Sequence, residues 1–392
     1  MEKRILRFLG TVLCVCVTIC VYSIMTRSEY APTYGPKTLN ATKIWRQVKN
    51  DNFSTITPKK SDNFSTITPK KSDNFSIITP KKNDNFSTIT KAGRDVMNSV
   101  STLREELLCA LKKNVPFSTI TRKQASKDGN ATILPEESLE KLVHFNSCAV
   151  VSSSHGLRLH KYGKEIDSHD AVLRFNCAPT QGFEQFVGNR TDIRLVNTQI
   201  PGRYFKKDFW SKNSNMFRHE AIVVRNMDSI SVKGEKIDTK HDQFHVFNNL
   251  VKYRKMYPTR DLHFIQRPDF GNDIMWELAR FCITTRMCNK ANMSPSSGMF
   301  GKAVSLTFYS VVMMLHLCDW VRVYEIVPSN KDRTTVPYYY DEQTTTTWTW
   351  LKKWHSFTQE RVYLRTLSLT TEKDINETGV VLLKGFSQTQ CH

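Results

Sequence analysis

An 11-residue unit, DNFSTITPKKS, fills residues 51–61, recurs at 62–72, returns at 73–83 with Ile77 in place of Thr and Asn83 in place of Ser, and breaks off as DNFSTIT at 84–90. Pro58, Pro69 and Pro80 recur with it and forbid a continuous helix. Its Phe and Ile side chains are too sparse to bury a core, and each unit opens an Asn-Phe-Ser sequon. The stretch reads as an extended, glycosylated and disordered spacer. That feature removes the first part of the chain from any packed unit. Of the 392 residues, about 287 remain, enough for one large domain at the upper end of what a single core supports. A hydrophobic content of 40% with 11% aromatics is a globular composition.

Upstream of the repeat, Lys3, Arg4 and Arg7 precede a stretch from Phe8 to Met25 without a charged side chain, and Arg27 follows it. At ~1.5 Å per residue this run nearly spans a ~30 Å hydrocarbon layer. It is longer than the ~7–15 apolar residues of a cleaved signal, and no clear small-x-small cleavage site follows. The expectation is an uncleaved transmembrane signal anchor over residues 8–26, with residues 1–7 cytosolic and the rest lumenal. Nine sequons, at Asn40, Asn52, Asn63, Asn74, Asn85, Asn130, Asn189, Asn292 and Asn376, agree with that side. Cys14, Cys16 and Cys20 lie in the apolar run. The other seven, Cys109, Cys148, Cys177, Cys282, Cys288, Cys318 and Cys391, make no CxxC pair and no metal-ligand pattern with His. Disulfides are expected in an oxidising lumen, and an odd number leaves a free thiol. The formal charge of +19 is compatible with nucleic acid, an acidic membrane, an anionic substrate or a lysine-rich stem. No run of five basic residues occurs, and a lumenal domain does not meet nucleic acid, so no nucleic-acid partner is expected.

The stem should end near Asp95–Leu108, where Val96, Val100, Leu103 and Leu107 recur at helical spacing. From Cys148 the texture becomes βαβ. Cys148-Ala149-Val150-Val151 is a short buried strand signal, followed by the small-residue turn Ser152-Ser153-Ser154-His155-Gly156. Asp170–Asn176 and Thr191–Asn197 are two further strands, each ending in Asn. Small and amide side chains at the carboxyl ends of parallel strands are where open α/β sheets bind nucleotides. No GxGxxG occurs, so a dinucleotide is not expected. Asn176 and Asn197 each offer a donor and an acceptor, suited either to a ligand or to capping a turn. Ser296-Ser297-Gly298 opens the apolar run 299–318, a start that suits a phosphate or an ordinary helix N-cap. His355 stands in a polar stretch with Glu360 five residues on; the imidazole is the general-base candidate, and the carboxylate would orient either the chain or the imidazole. No two aspartates are separated by one residue, so nothing suggests a DxD metal site.

The order CAVVSSS…GKEIDSHDAVLRFNCAPTQGFEQFVGNRTDIRLVNTQ over 148–199 resembles the large sialyl motif of the animal sialyltransferases, in the variant of the beta-galactoside alpha-2,6-sialyltransferases. Pro295–Met299 with Leu317-Cys318-Asp319 resembles the small motif, Tyr338-Tyr339-Tyr340-Asp341 the third, and His355…Glu360 the very small motif HxxxxE. The resemblance covers about residues 106–392, densely at 148–199 and 295–360, and thinly at 200–290. It implies a single Rossmann-like, nucleotide-binding α/β domain of the glycosyltransferase-A-variant type, with a mainly parallel sheet over 106–392, behind a lumenal stem at 27–105. It implies a Golgi membrane protein of type II that takes sialic acid from CMP-sialic acid (CMP-N-acetylneuraminate) to galactose-terminated glycoprotein glycans without a metal cofactor; a homodimer is compatible with it. By the same resemblance His355 and Glu360 are catalytic. Ser153, Asn176, Asn197, Ser296, Ser297, Gly298, Tyr338, Tyr339 and Arg361 bind the donor, while Gln199 and Trp354 meet the acceptor. The pairs Cys148–Cys318 and Cys109–Cys391 are expected; Cys282 and Cys288 are close enough in sequence to pair, their pairing and that of Cys177 staying open, with Cys177 the candidate for the odd thiol.

One spacing departs from the resemblance. Ser296 stands 22 residues before Cys318, about nine more than the motif's usual gap, which in one helix would displace Cys318 by ~13 Å unless the insert loops out. The insert is expected within Gly301–Val312. Three readings follow: an active alpha-2,6-sialyltransferase, a sialyltransferase of another linkage or acceptor, and an inactive glycan-binding paralogue.

Overall fold

The computed structural model describes residues 91–202, 207–226, 230–258, 262–285, 287–288, 304–330, 337–341, 355 and 357–391. The repeat, the expected anchor at 8–26 and the stem before residue 91 lie outside the described residues. Among the described residues no helix is long and apolar enough to cross a membrane.

The first element is helix α1, Lys91–Asn114, which runs across the expected domain boundary at residue 106. Its C-terminal half enters the core through Leu108 and Leu111, whereas Val100 is exposed. Pro116 follows at once and cannot extend a helix.

Seven strands form one sheet in the order β7-β4-β3-β2-β1-β8-β9. They are β1 (Phe145–Val151), β2 (Ala171–Phe175), β3 (Ile193–Val196), β4 (Ala221–Val224), β7 (Leu262–Ile265), β8 (Cys318–Tyr324) and β9 (Val380–Lys384). A separate hairpin pairs β5 (Ser231–Lys233) with β6 (Lys236–Asp238). All neighbours in the large sheet are parallel except β8 and β9. The central strands are apolar runs because both faces are covered; β2, β3 and β4 are buried at every position.

Alternate residues feed the two faces. Cys148 and Val150 of β1, Leu173 of β2, Leu195 of β3 and Val223 of β4 join a core with α1, α3 (Phe270–Thr285), α4 (Leu306–Leu317) and α5 (Phe357–Leu367). Ile222 and Val224 face helix α2 (Val246–Met256), and Ala149 and Val172 face Tyr339. From β1 the chain steps outward through β2, β3, β4 and β7, and β8 then joins β1 on its other side. The crevice between the ends of β1 and β8 is therefore the topological switch point, where open parallel sheets take their ligands.

The expected disulfides are present. Cys148 and Cys318 join β1 to β8 with Cα atoms 6.2 Å apart, and Cys109 and Cys391 join α1 to the chain's end at 5.5 Å. Cys282 pairs with Cys288, and Cys177 is in no disulfide.

The small-motif helix corrects an expectation. No continuous helix runs from Gly298 to Cys318. Ser305 is extended at ψ 153°, its hydroxyl accepts the N–H of Phe308, and α4 begins at Leu306 and has 12 residues. Ser305 stands thirteen residues before Cys318, and the helix that reaches Cys318 starts just after it. Residues 306–312 of the expected interval are helix, buried from Phe308 onward.

Candidate active site

The carboxyl edge of the sheet carries, strand by strand, the residues that follow β8, β1, β2, β3, β4 and β7. After β2, Asn176 sits at φ +41°, a left-handed conformation that Asn tolerates better than most residues. It is held there from beneath. The Arg194 guanidinium donates to the carbonyls of Asn176 (2.9 Å) and Ala178 (3.1 Å), and pairs with Glu220 at 3.0 Å. Both charged groups are buried, so the pair is an internal brace for the loop.

The two asparagines are linked. Asn176 Oδ1 accepts the N–H of Asn197, and Asn197 Oδ1 accepts the N–H of Gln199, both at 3.0 Å. A backbone N–H can only donate, so these contacts settle which end of each amide is oxygen. The oxygens are spent on turns, and the Nδ2 groups are the donors left for a ligand. Gln199, half-buried, is placed by this turn.

Ser153 follows β1 and receives the third motif. The N–H of Tyr339 donates to its carbonyl at 3.1 Å, and Ser154 bridges Tyr338. Tyr338 and Tyr340 stack at 5.4 Å, and the Tyr339 hydroxyl donates to the Pro179 carbonyl. Burial raises the Tyr339 phenol to about 12. Burial, with the nearby Asp341 charge, also raises that of Tyr338. Both phenols are therefore protonated donors at neutral pH.

On the other side, α5 and α4 meet end to end. Glu360 is buried, and its carboxylate accepts the Ser305 N–H at 2.7 Å and the Ser305 hydroxyl at 2.5 Å. Burial pushes its carboxyl above the usual range, opposed by the Ser305 hydrogen bonds and then by the charges of Arg225 and Arg361. Arg361 donates to the Ile326 carbonyl at 3.3 Å, two residues beyond the end of β8, and its guanidinium lies 5.9 Å from the Phe357 ring centroid. His355 is half-buried with its ring 5.4 Å from that of Phe357. Glu360 holds the head of α4 through Ser305.

Ser153, Asn176, Asn197, Tyr338 and Tyr339 thus form one contiguous group on the β1–β3 edge. His355, Glu360 and Arg361 form a second at the junction of α4, α5 and β8. Ser296, Ser297, Gly298 and Trp354 lie outside the described residues. Among the described residues no group of His, Cys, Asp or Glu is arranged to hold a metal ion.

Three residues on this edge escaped the sequence reading. Ser305 heads α4. Arg225 and Asn226 follow β4, where the run Ala221–Asn226 repeats the pattern of a buried strand ending in Asn. Asn226 is buried, its amide bonding both polar atoms of the Ile230 backbone.

A doubly covered parallel sheet with amide and hydroxyl side chains at its carboxyl edge defines a nucleotide-binding type of α/β domain. The chain belongs to glycosyltransferase family 29 (sialyltransferase), whose family model matches residues 96–371. It is 31% identical over 299 residues to beta-galactoside alpha-2,6-sialyltransferase 2 of Danio rerio, covering 74% of this chain and 53% of that protein. It is 32% identical over 295 residues to beta-galactoside alpha-2,6-sialyltransferase 1 of Homo sapiens, covering 73% of this chain and 66% of that protein. The chain spans about half the length of the alpha-2,6-sialyltransferase 2 relatives it matches. A crystal structure of a mammalian sialyltransferase in complex with Gal-beta-1-3GalNAc-ortho-nitrophenol aligns with a TM-score of 0.36 and 19% identity, over 69% of this chain and 80% of that one.

Proposed function

We propose that this protein transfers sialic acid from CMP-sialic acid to the 6-hydroxyl of terminal galactose on glycans, with inversion at the anomeric carbon. The observation that carries this reading is the meeting of separate motif segments at the switch point. Tyr338–Tyr340 dock on Ser153, while Asn176 and Asn197 present their amide donors from the next two strands. The alpha-2,6 assignment is supported by the names of the relatives at 31–32% identity.

In this mechanism His355 accepts the proton of the acceptor hydroxyl as its oxygen attacks the anomeric carbon. The bond from that carbon to the CMP phosphate oxygen breaks, and CMP leaves with the electron pair. Asn176, Asn197, Ser153 and the tyrosines hold the nucleotide, Arg361 balances donor charge, and Gln199 and Trp354 meet the acceptor. A single-phosphate leaving group has little charge to neutralise, so the reaction is assigned no metal. Glu360 acts on the head of α4.

The inactive reading rested on an overlong helix; the 12-residue length of α4 supports the active reading instead. The proposal includes a type II Golgi membrane protein anchored through residues 8–26. The test is CMP release by the full chain from CMP-sialic acid with a galactose-terminated acceptor, followed by linkage analysis of the product. A 2,6-linked product supports the reading. A 2,3-linked product moves it to another linkage, and no CMP release above background overturns it.

A further inference from the structure

The head of α4 is gripped from two elements distant in sequence. From α5, the Glu360 carboxylate takes the N–H and hydroxyl of Ser305. From the end of β4, the Arg225 guanidinium donates to the Val304 carbonyl at 3.1 Å. The same guanidinium lies 4.9 Å from the ring centroid of Tyr309, in the first turn of the helix. Arg225 is 7% exposed and Glu360 1%, so neither charge is screened by bulk water. The Arg225 charge favours the ionised form of Glu360. The two grips are therefore coupled: the cation that holds Val304 also keeps Glu360 a better acceptor for Ser305.

The far end of α4 is fixed as well. It runs into Cys318, whose disulfide to Cys148 ties it to β1. With both ends held, the length of α4 is set by tertiary contacts rather than by the apolar pattern, which continues upstream through Met299 and Phe300. That accounts for how the chain accommodates the extra residues without moving Cys318.

We propose that Arg225 is a positioning residue for the transfer reaction, acting with Glu360 to clamp Val304–Ser305 and so hold the first turn of α4 against the carboxyl edge. The reaction named here rests on the sialyltransferase reading above; the clamp itself does not. Glu360 lies in the first turn of α5, five residues after His355, so loosening the clamp disturbs the base as well as the helix head. Lysine keeps the charge but loses the planar fork and the stacking face, so it restores the clamp only in part.

The test uses the full chain with Arg225→Gln and Arg225→Lys. Amide hydrogen exchange over residues 306–312 is measured without substrate, and donor and acceptor kinetics are measured separately. Arg225→Gln is expected to speed exchange in the first turn of α4. It should lower kcat/KM for the donor by about tenfold or more, the scale of one lost charge-assisted hydrogen bond. The acceptor KM should change less than the donor term, and Arg225→Lys should fall between. Faster exchange with parental kinetics overturns the positioning role, because the residue is then merely structural. Altered kinetics with parental exchange overturns the clamp. If Arg225→Gln does not fold, Arg225→Lys is judged by the same two readouts. If the parent shows no turnover, the functional reading fails, and exchange alone still decides whether the clamp exists.

Discussion

Asn176 and Asn197, at the ends of adjacent strands, are joined by a 3.0 Å hydrogen bond from the backbone N–H of Asn197 to the side-chain oxygen of Asn176. The bond spends the oxygen on structure and leaves the nitrogen for a ligand. Substitution can separate those roles. Asn176→Asp keeps an acceptor for the N–H but removes the donor and places a negative charge where a phosphate is proposed. We expect a donor KM at least about tenfold higher, the scale of one hydrogen bond to a charged group, with the melting temperature nearly unchanged. Asn176→Ala loses the tie and strains the left-handed backbone, so it should lower the melting temperature as well. A donor KM at the parental value in the Asp variant would remove Asn176 from the nucleotide site.

His355→Ala should act on kcat far more than on the donor KM. Removing a general base typically costs ~10²–10⁴-fold. The side chains proposed to hold the nucleotide lie on the β1–β3 edge, apart from His355. Acidification that protonates the imidazole should lower the rate in the parent and leave the residual rate of the variant flat. Near-parental kcat in the variant would sink the assignment and turn attention to Asp341.

The β1–β3 edge was legible because each element announces itself locally. A run such as Ala171–Phe175 is apolar throughout since both sheet faces are covered, and the Asn that follows marks its carboxyl end. The head of α4 was not legible. Ser296-Ser297-Gly298 matched a motif, whereas Ser305 is a single N-cap inside an apolar run and nothing local distinguishes it. What selects Ser305 is Glu360, far along the chain, and Arg225, on another strand. Arg225 was missed for the same reason. It ends a strand in the part of the chain where the family resemblance is thin, and it meets α4 only after the sheet has formed.

The disulfides should differ in weight according to the loops they close. Cys148–Cys318 closes a sequence separation of 170 and Cys282–Cys288 one of 6. On a chain-entropy basis these correspond to ~5 and ~2 kcal/mol. Paired Cys→Ala variants compared by denaturant unfolding should therefore lose much more stability for the Cys148–Cys318 pair, which also joins the two strands at the switch point. Equal losses would show that local packing, not loop closure, sets the contribution.

Gln266 follows β7 and is fully buried, and neither atom of its amide has a hydrogen-bond partner among the described residues. By strand alternation it shares the face of Phe264 and lies beside Arg225, since Val224 pairs with Ile265. An unpaired buried amide costs ~1–3 kcal/mol, and replacing it with an apolar group of similar size removes that cost. Gln266→Leu should raise the melting temperature. A fall would mean that the amide is satisfied by an internal water in solution.

The last prediction concerns acid. His263 is buried and His316 half-buried, both as neutral rings. His263 lies on β7 against Tyr253, ring centroids 5.2 Å apart, and neither ring nitrogen has a hydrogen-bond partner among the described residues. Burial, with the Arg254 charge, holds it down at about 3. His316 lies in α4, its Nε2 at 2.8 Å from the Val115 carbonyl and its ring 4.6 Å from that of Phe386; burial holds it at about 4. For a base whose folded value is depressed, the unfolded chain binds the proton more readily. Stability is then complete above the unfolded value of ~6.5 and is lost as pH falls from there towards the folded values. Each ring should cost about 2 kcal/mol at pH 5, because one pH unit is worth ~1.4 kcal/mol per coupled proton. Unfolding free energy measured between pH 7 and pH 5 should fall accordingly, and His263→Leu should flatten that fall by roughly half. An unchanged slope in the variant would mean that His263 already carries its proton in the folded protein, or that the carboxylates govern the acid limb.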